Sequence, residues 1–340
     1  MSEYESNTTM AQIADTLRAA KSVLLTTHAK PDADAYGSVT ALARALELLG
    51  KRTERWFMGP VPRVMSTLDG RCPACKVFDK VGDPLPQFEP DALVITDTGA
   101  WSQLAPLRAW IEPRLGKTIV IDHHLHGDVD PAKRYVDPAA PSSASLAAGL
   151  IDALGCKWDS TIRDAIYAGL ATDTGWFRFS NTTPDSLHMA ARLIEEGVDH
   201  AALFHAVEMS ERPEKLGLMA RALSSLEMIA GGRAAVMTLR QKDFAETGTG
   251  REETERLVDL PQVVGSVNLV TLLTEENASR VRLSFRSKPG KGAVDTNALA
   301  RRFGGGGHAR AAGAKVDGTM EQVRPKVIEA VRDAVNQHQG

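Results

Sequence analysis

The chain has 340 residues, 43% hydrophobic and 24% charged, with a net charge of −3 and three cysteines. That length and apolar content are enough for the cores of two globular domains. No apolar run approaches the roughly 20 residues that span a bilayer, the first residues lack the basic and apolar regions of a secretory signal, and an odd cysteine count builds no disulfide framework. The expectation is a cytoplasmic protein with no membrane partner.

Along the chain the pattern predicts an α/β fold. Apolar, β-rich runs at 22–27, 92–96 and 118–121, separated by helical patterns, describe a parallel sheet with crossover helices. The spacing over 36–49 predicts a helix stopped by Gly50. The segment from His28 to Gly37 then lies between a strand end and a helix start, where open α/β sheets bind ligands. Cys72-Pro73-Ala74-Cys75 has the spacing of a zinc or redox pair. A structural zinc needs four ligands and no second pair exists, so a loop is expected there. A helical stretch from about 142 to 172 is followed by further helical pattern over about 183–230.

From 232 the texture changes to strands at 233–239, 266–273 and 280–286, a helix at about 295–303, a glycine run at Gly304–Gly307, and an amphipathic helix at about 319–336. The expected organisation is a parallel-sheet domain over 1–200, a helical linker over 201–230 and a smaller α/β domain over 231–340. Between Arg280 and Lys315 nine Lys and Arg face a single acid, Asp295. Such a window, holding glycines and His308, suits a phosphate-bearing partner, although a solvated sheet face has the same composition.

Four times in the first half an apolar or helical run ends in ionisable residues. The runs lead to His28-Ala29-Lys30-Pro31-Asp32-Ala33-Asp34, to Asp97-Thr98-Gly99, to Asp122-His123-His124 and to Asp173-Thr174-Gly175. Carboxylates and imidazoles gathered on such loops suit divalent ions, and mixed oxygen and nitrogen donors favour manganese. Asp32 and Asp34, one residue apart, can serve two neighbouring ions. Two-ion sites hold their metals roughly 3.5–4 Å apart and clamp a nucleophilic water for in-line displacement at phosphorus, so hydrolysis of a phosphate ester is the expected reaction. The plain alternative for Asp32 is an Asx turn that caps the next helix. His126, Asp128 and Asp130 crowd the same loop as Asp122 and read as solvated.

These motifs, H-x-x-P-D-x-D-x-x-G-S at 28–38, the aspartates at 97 and 173 and D-H-H at 122–124, resemble the DHH phosphoesterase superfamily. The tail F-G-G-G-G-H-A-R-A-A-G-A at 303–314 resembles its DHH-associated substrate-binding domain. The order and length are most similar to the branch that trims very short oligoribonucleotides and dephosphorylates adenosine 3′,5′-bisphosphate (pAp). The resemblance implies a DHH catalytic domain followed by a substrate-binding domain, separated by a cleft. It assigns His28, Asp32 and Asp97 to one metal and Asp34, Asp97, His123 and Asp173 to the other, with Asp97 bridging. The cofactors implied are two divalent ions, Mn2+ first, with Mg2+ or Co2+ as alternatives.

Asp97, His123, His124 and Asp122 then form the catalytic group. His124 is the nearest candidate to touch the phosphate, and Asp122 accepts a hydrogen bond that fixes an imidazole. Arg178, Arg286, Gly305, Gly306 and His308 are the further candidates for binding substrate, the glycines through free backbone N–H groups. The implied partners are short single-stranded RNA or small nucleotides and, for the protein itself, a second copy in a homodimer. The alternatives are a phosphodiesterase for pApA or cyclic dinucleotides and, in another class, a nucleotide-sensing or scaffold protein without turnover. The chain departs from the pattern in one place. Relatives carry a glutamate after the Ser/Thr-rich segment that follows D-H-H, and Ala140-Pro141-Ser142-Ser143-Ala144-Ser145-Leu146 holds no acid.

Overall fold

The computed structural model describes residues 4–78, 80 and 82–337. The chain divides into two compact units, Met1–Ser210 and Glu211–Gly340.

In the first unit α1 (Met10–Ala19) precedes β1 (Ser22–Thr26), α2 (Ala33–Leu48), β2 (Arg52–Met58), β3 (Lys76–Phe78), β4 (Ala92–Thr96), α3 (Arg108–Ile111), β5 (Thr118–Asp122) and β6 (Lys133–Val136). Four helices follow, α4 (Ser143–Leu154), α5 (Ser160–Asp173), α6 (Pro184–Glu195) and α7 (His200–Glu208). The strands form one sheet in the order β3-β2-β1-β4-β5-β6, and all pairs are parallel. A parallel sheet is covered on both faces, and its strands alternate between two cores. Val23, Leu25, Val94, Ile119 and Ile121 pack with α1, α2, α4 and α5, while Leu24, Leu93, Ile95 and Val120 pack on the opposite face with Trp56, Trp101 and Ile111. This double burial is why the three central strands read as unbroken apolar runs.

The strand order reverses between β1 and β4, so their carboxyl ends open side by side at the switch point where such sheets take ligands. The helix after β1 starts at Ala33, three residues before the expected Tyr36, because Asp32 is its N-cap. Its Oδ1 accepts the N–H groups of Asp34 and Ala35, each at 3.0 Å. The expected continuous helix over 142–172 is two helices. Gly155, at φ 74°, ends α4 in the left-handed region, and Asp159 caps α5 by accepting Ile162 N–H.

The second unit contains α8 (Pro213–Ser224), β7 (Glu227–Ile229), β8 (Ala234–Leu239), α9 (Gln241–Thr247), β9 (Leu269–Asn277), β10 (Arg280–Ser287), α10 (Thr296–Arg301), β11 (Gly306–Gly307), β12 (Ala311–Asp317) and α11 (Met320–Gln337). Its sheet runs β11-β12-β10-β9-β8-β7, with β8 and β9 parallel and the other pairs antiparallel. The segment expected as a separate linker over 201–230 is shared out. Leu203 and Val207 of α7 pack on the first unit's core, whereas Leu218 and Ala222 of α8 are buried against Ala235, Met237 and Val270 of the second sheet. Among the described residues no helix is long and apolar enough to cross a membrane.

Candidate metal centre

The carboxyl ends of β1, β4 and β5 and the last turn of α5 bring the ionisable residues together. Three groups of side chains have donor atoms mutually within 4.8 Å: His28, Asp32 and Asp97; Asp34, His123 and Asp173; and Asp97, His123 and His124. Asp97 joins the first group to the others through its two oxygens. Its Oδ2 lies 3.3 Å from His28 Nε2, and its Oδ1 lies 3.4 Å from His123 Nε2. The backbone is bent to present it, since Asp97 sits at φ 62°, a left-handed conformation that a non-glycine residue adopts at a cost.

The imidazoles are aimed by their other nitrogens. His28 Nδ1 lies 3.0 Å from the carbonyl of Ala29, and His123 Nδ1 lies 3.3 Å from the carbonyl of Ala140. A carbonyl only accepts, so Nδ1 carries the proton in both rings and Nε2 is the atom that could hold a metal. His124 is held by a carboxylate instead, its Nδ1 2.7 Å from Asp122 Oδ1. Asp122 is fully buried and also accepts the backbone N–H groups of His123 and His124.

Asp34 is buried at the N-terminus of α4, where Ser143 N–H donates to Oδ2 at 2.7 Å and Ala144 N–H donates to Oδ1 at 2.8 Å. The Ser143 hydroxyl donates to Asp97 Oδ1 at 3.0 Å. Ser143 therefore touches carboxylates of two different groups, in the segment where the chain lacks the relatives' acid. Sequence reasoning missed this residue, although a serine at a helix start near the motifs was visible. Tyr4 was also missed. Its hydroxyl donates to Asp122 Oδ2 at 2.6 Å across 118 positions of sequence, and no local pattern signals that.

The clustered carboxylates and imidazoles shift one another strongly. Burial first, then Asp97, Asp173 and Asp32, push the Asp34 carboxyl well above its ordinary range, and burial with Asp97 and Asp32 moves Asp173 up to about 6 against the pull of His123. Burial would lower both imidazoles, but hydrogen bonds and charges of the surrounding carboxylates outweigh it, raising His28 to about 9 and His123 to about 10. Burial would also raise Asp97, yet the imidazoles of His123 and His28 hold its carboxyl well below the usual range. Four carboxylates around Nε2-presenting imidazoles are a donor set that fits divalent ions with mixed oxygen and nitrogen ligands.

The remaining candidates are not members of these groups. Arg178 is exposed, and its Nε donates to the carbonyl of Gly175. In the second unit Arg286 Nε lies 3.6 Å from Asp259, and His308 is exposed. The glycine run corrects an expectation. Its amides do not stand free: Gly304, Gly305 and Gly307 N–H donate to the Arg301 carbonyl, the Ala300 carbonyl and Asn297 Oδ1, and Gly306 pairs with Gly313. Gly305 and Gly307 are required for close packing instead, since a Cβ would lie 2.1 Å from the Gly313 carbonyl oxygen and 2.6 Å from the Ala311 carbonyl oxygen, respectively. Gly306 itself has room for a side chain at 3.6 Å from Asn297 Oδ1.

The chain is similar to known proteins over nearly its whole length. Residues 22–170 match the DHH family, N-terminal domain, and residues 218–337 match the DHHA1 domain. A bifunctional oligoribonuclease and PAP phosphatase, NrnA, of Thermus thermophilus is 34% identical over 327 residues, covering 95% of this chain and 94% of its own. Among solved structures, an exopolyphosphatase-related protein from Bacteroides fragilis superposes with a TM-score of 0.85 at 23% identity, covering 96% of this chain and 97% of that one. RecJ of Thermus thermophilus in complex with Mn2+ shares the fold at a TM-score of 0.53 and 17% identity, over 96% of this chain and 54% of its own. With these relatives, a parallel sheet whose switch point gathers carboxylates and imidazoles is that of a metal-dependent hydrolase. This chain belongs to the DHH family of phosphoesterases, in the form that carries a DHHA1 domain.

Proposed function

We propose that this chain binds two divalent ions, Mn2+ foremost, and hydrolyses very short oligoribonucleotides to mononucleotides and pAp to AMP. The observation that carries the two-ion reading is the placement of the Asp97 oxygens, one toward His28 and the other toward His123. The 34% identity over 95% of the chain to an oligoribonuclease and PAP phosphatase supports the substrate class.

In this reading His28, Asp32 and Asp97 hold one ion, and Asp34, Asp97, His123 and Asp173 hold the other. Such ions, when bound, polarise a phosphoryl group and make water a nucleophile at neutral pH. The protein's own groups prepare the encounter. The carbonyls of Ala29 and Ala140 fix the two ligating rings, and the N-terminus of α4 holds Asp34 in place. The hydrogen bond that His124 Nδ1 donates to Asp122 favours the protonated form of His124 and raises its pKa. With Nδ1 committed to Asp122, the Nε2–H of that imidazolium is free to donate to a phosphate oxygen. Substrate-binding is the role proposed for the second unit, through His308 and Arg286, and Arg178 is a further phosphate contact.

A panel with Mn2+ present tests the proposal: RNA dimers through longer oligomers, pAp, pApA, linear and cyclic dinucleotides, and pyrophosphate. The expected result is fast hydrolysis of dimers and pAp and slow hydrolysis of long RNA. Preference for long chains or for pyrophosphate would overturn the substrate assignment and leave the phosphoesterase class standing.

A further inference from the structure

We propose that Tyr4 is a positioning residue for His124, acting through Asp122. The proposal rests on the reading that His124 meets the substrate phosphate.

Asp122 divides its oxygens between two tasks. Oδ1 takes His124 Nδ1 at 2.7 Å together with the N–H groups of His123 and His124, and Oδ2 takes the Tyr4 hydroxyl at 2.6 Å. The carboxylate is fully buried. A buried carboxylate oxygen without a donor is costly, so without the phenol the group gains by rotating. That rotation takes the acceptor away from His124 Nδ1 and frees the ring to turn. The phenol thus fixes which oxygen faces the imidazole.

The surroundings are shaped for this tyrosine. A Cβ on Gly99 would lie 1.8 Å from its hydroxyl oxygen, and one on Gly127 would lie 2.3 Å from its ring. Gly99 follows Asp97 by two residues and Gly127 follows His124 by three, so the ring wedges between the two loops that carry the site. The Arg134 guanidinium lies 5.1 Å from the ring centroid and donates through Nε to the Glu5 carbonyl. Beyond it Asn7 and Ser6 bond the backbone of β6, with Asn7 N–H donating to the Arg134 carbonyl and Val136 N–H donating to the Ser6 hydroxyl oxygen. The N-terminal segment is therefore a strap laid along the edge strand, and its tyrosine reaches inward to Asp122.

Tyr4→Phe keeps the ring and removes only the hydroxyl. Its turnover of an RNA dimer is measured alone and combined with His124→Ala, beside metal content and, with diamagnetic Mg2+ in place, the 15N signals of the His124 ring. The expected result is unchanged metal content, a shifted His124 signal, a fall in kcat/KM of about tenfold as partners of site residues typically show, and no further fall when Tyr4→Phe is added to His124→Ala. Undiminished turnover in Tyr4→Phe overturns the inference alone. An equal fall in both backgrounds, or an unmoved His124 signal, assigns Tyr4 a merely structural role and also overturns it. Full turnover in His124→Ala itself would bring down the reading of His124 as the phosphate contact, and the inference with it.

Discussion

Ser143 and Asp34 lie 109 positions apart in sequence, and the Ser143 N–H donates to Asp34 Oδ2 at 2.7 Å while its hydroxyl reaches Asp97 at 3.0 Å. Ser143→Ala removes the hydroxyl and keeps the N–H, so it should weaken Mn2+ binding by about tenfold and leave the fold intact. Ser143 is the first residue of α4, a position that accepts proline. Ser143→Pro also removes the N–H from Asp34 and should lose clearly more Mn2+ affinity than the alanine variant. Calorimetric titration of both variants checks the order.

Gly169 of α5 is a second structural support. A Cβ there would lie 2.8 Å from Asp34 Oδ1 and 2.6 Å from the Ala144 Cβ. Gly169→Ala should therefore displace Asp34 and lower both metal content and turnover. Gly149, on the exposed face of α4, has nothing within 4 Å of an added Cβ. Gly149→Ala should leave turnover unchanged and stabilise by about 0.5–1 kcal/mol, seen as a higher Tm.

Proton release follows from the raised imidazoles. His28 and His123, at about 9 and about 10, lie above the ordinary 6.5. They stabilise the metal-free fold fully below about 6.5, and that contribution disappears as pH rises through about 9 to 10. Metal ligation requires the neutral ring. Mn2+ binding near neutral pH should release more than one proton per chain, and apparent affinity should climb with pH up to that range. Titration in two buffers of different ionisation enthalpy measures this, and absence of proton release would contradict the ligand assignment.

In the second unit, His308→Ala and Arg286→Ala should leave metal content unchanged and raise KM for an RNA dimer. A charge-assisted phosphate contact of about 1.5–3 kcal/mol corresponds to roughly ten- to a hundred-fold. A small reporter such as bis-p-nitrophenyl phosphate should be much less affected. Loss of metal from either variant would remove the proposed division of labour.

The central strands and the clustered acids were legible because each is a local signal: β1, β4 and β5 are apolar on both faces, and their ends are marked by Asp97 and Asp122. The strand β2 was not legible. It opens Arg52-Thr53-Glu54-Arg55, and the charge of buried Arg55 is answered by Asp69 and Thr40, partners that the sequence does not put beside it. Glycine was misread in both directions. Gly155 was overlooked as a helix stop, and the run at 304–307 suggested free amides where Gly305 and Gly307 serve close backbone packing. Tyr4 and Ser143 act across more than a hundred residues or across two ligand groups, and only the fold reveals them.

The central claim is that two ions share Asp97, and anomalous scattering at the manganese edge from crystals grown with Mn2+ tests it most directly. Two peaks about 3.5–4 Å apart, one beside His28 and Asp32, the other beside Asp34, His123 and Asp173, with Asp97 between them, are the predicted result. A single peak, or manganese bound away from Asp97, would contradict it.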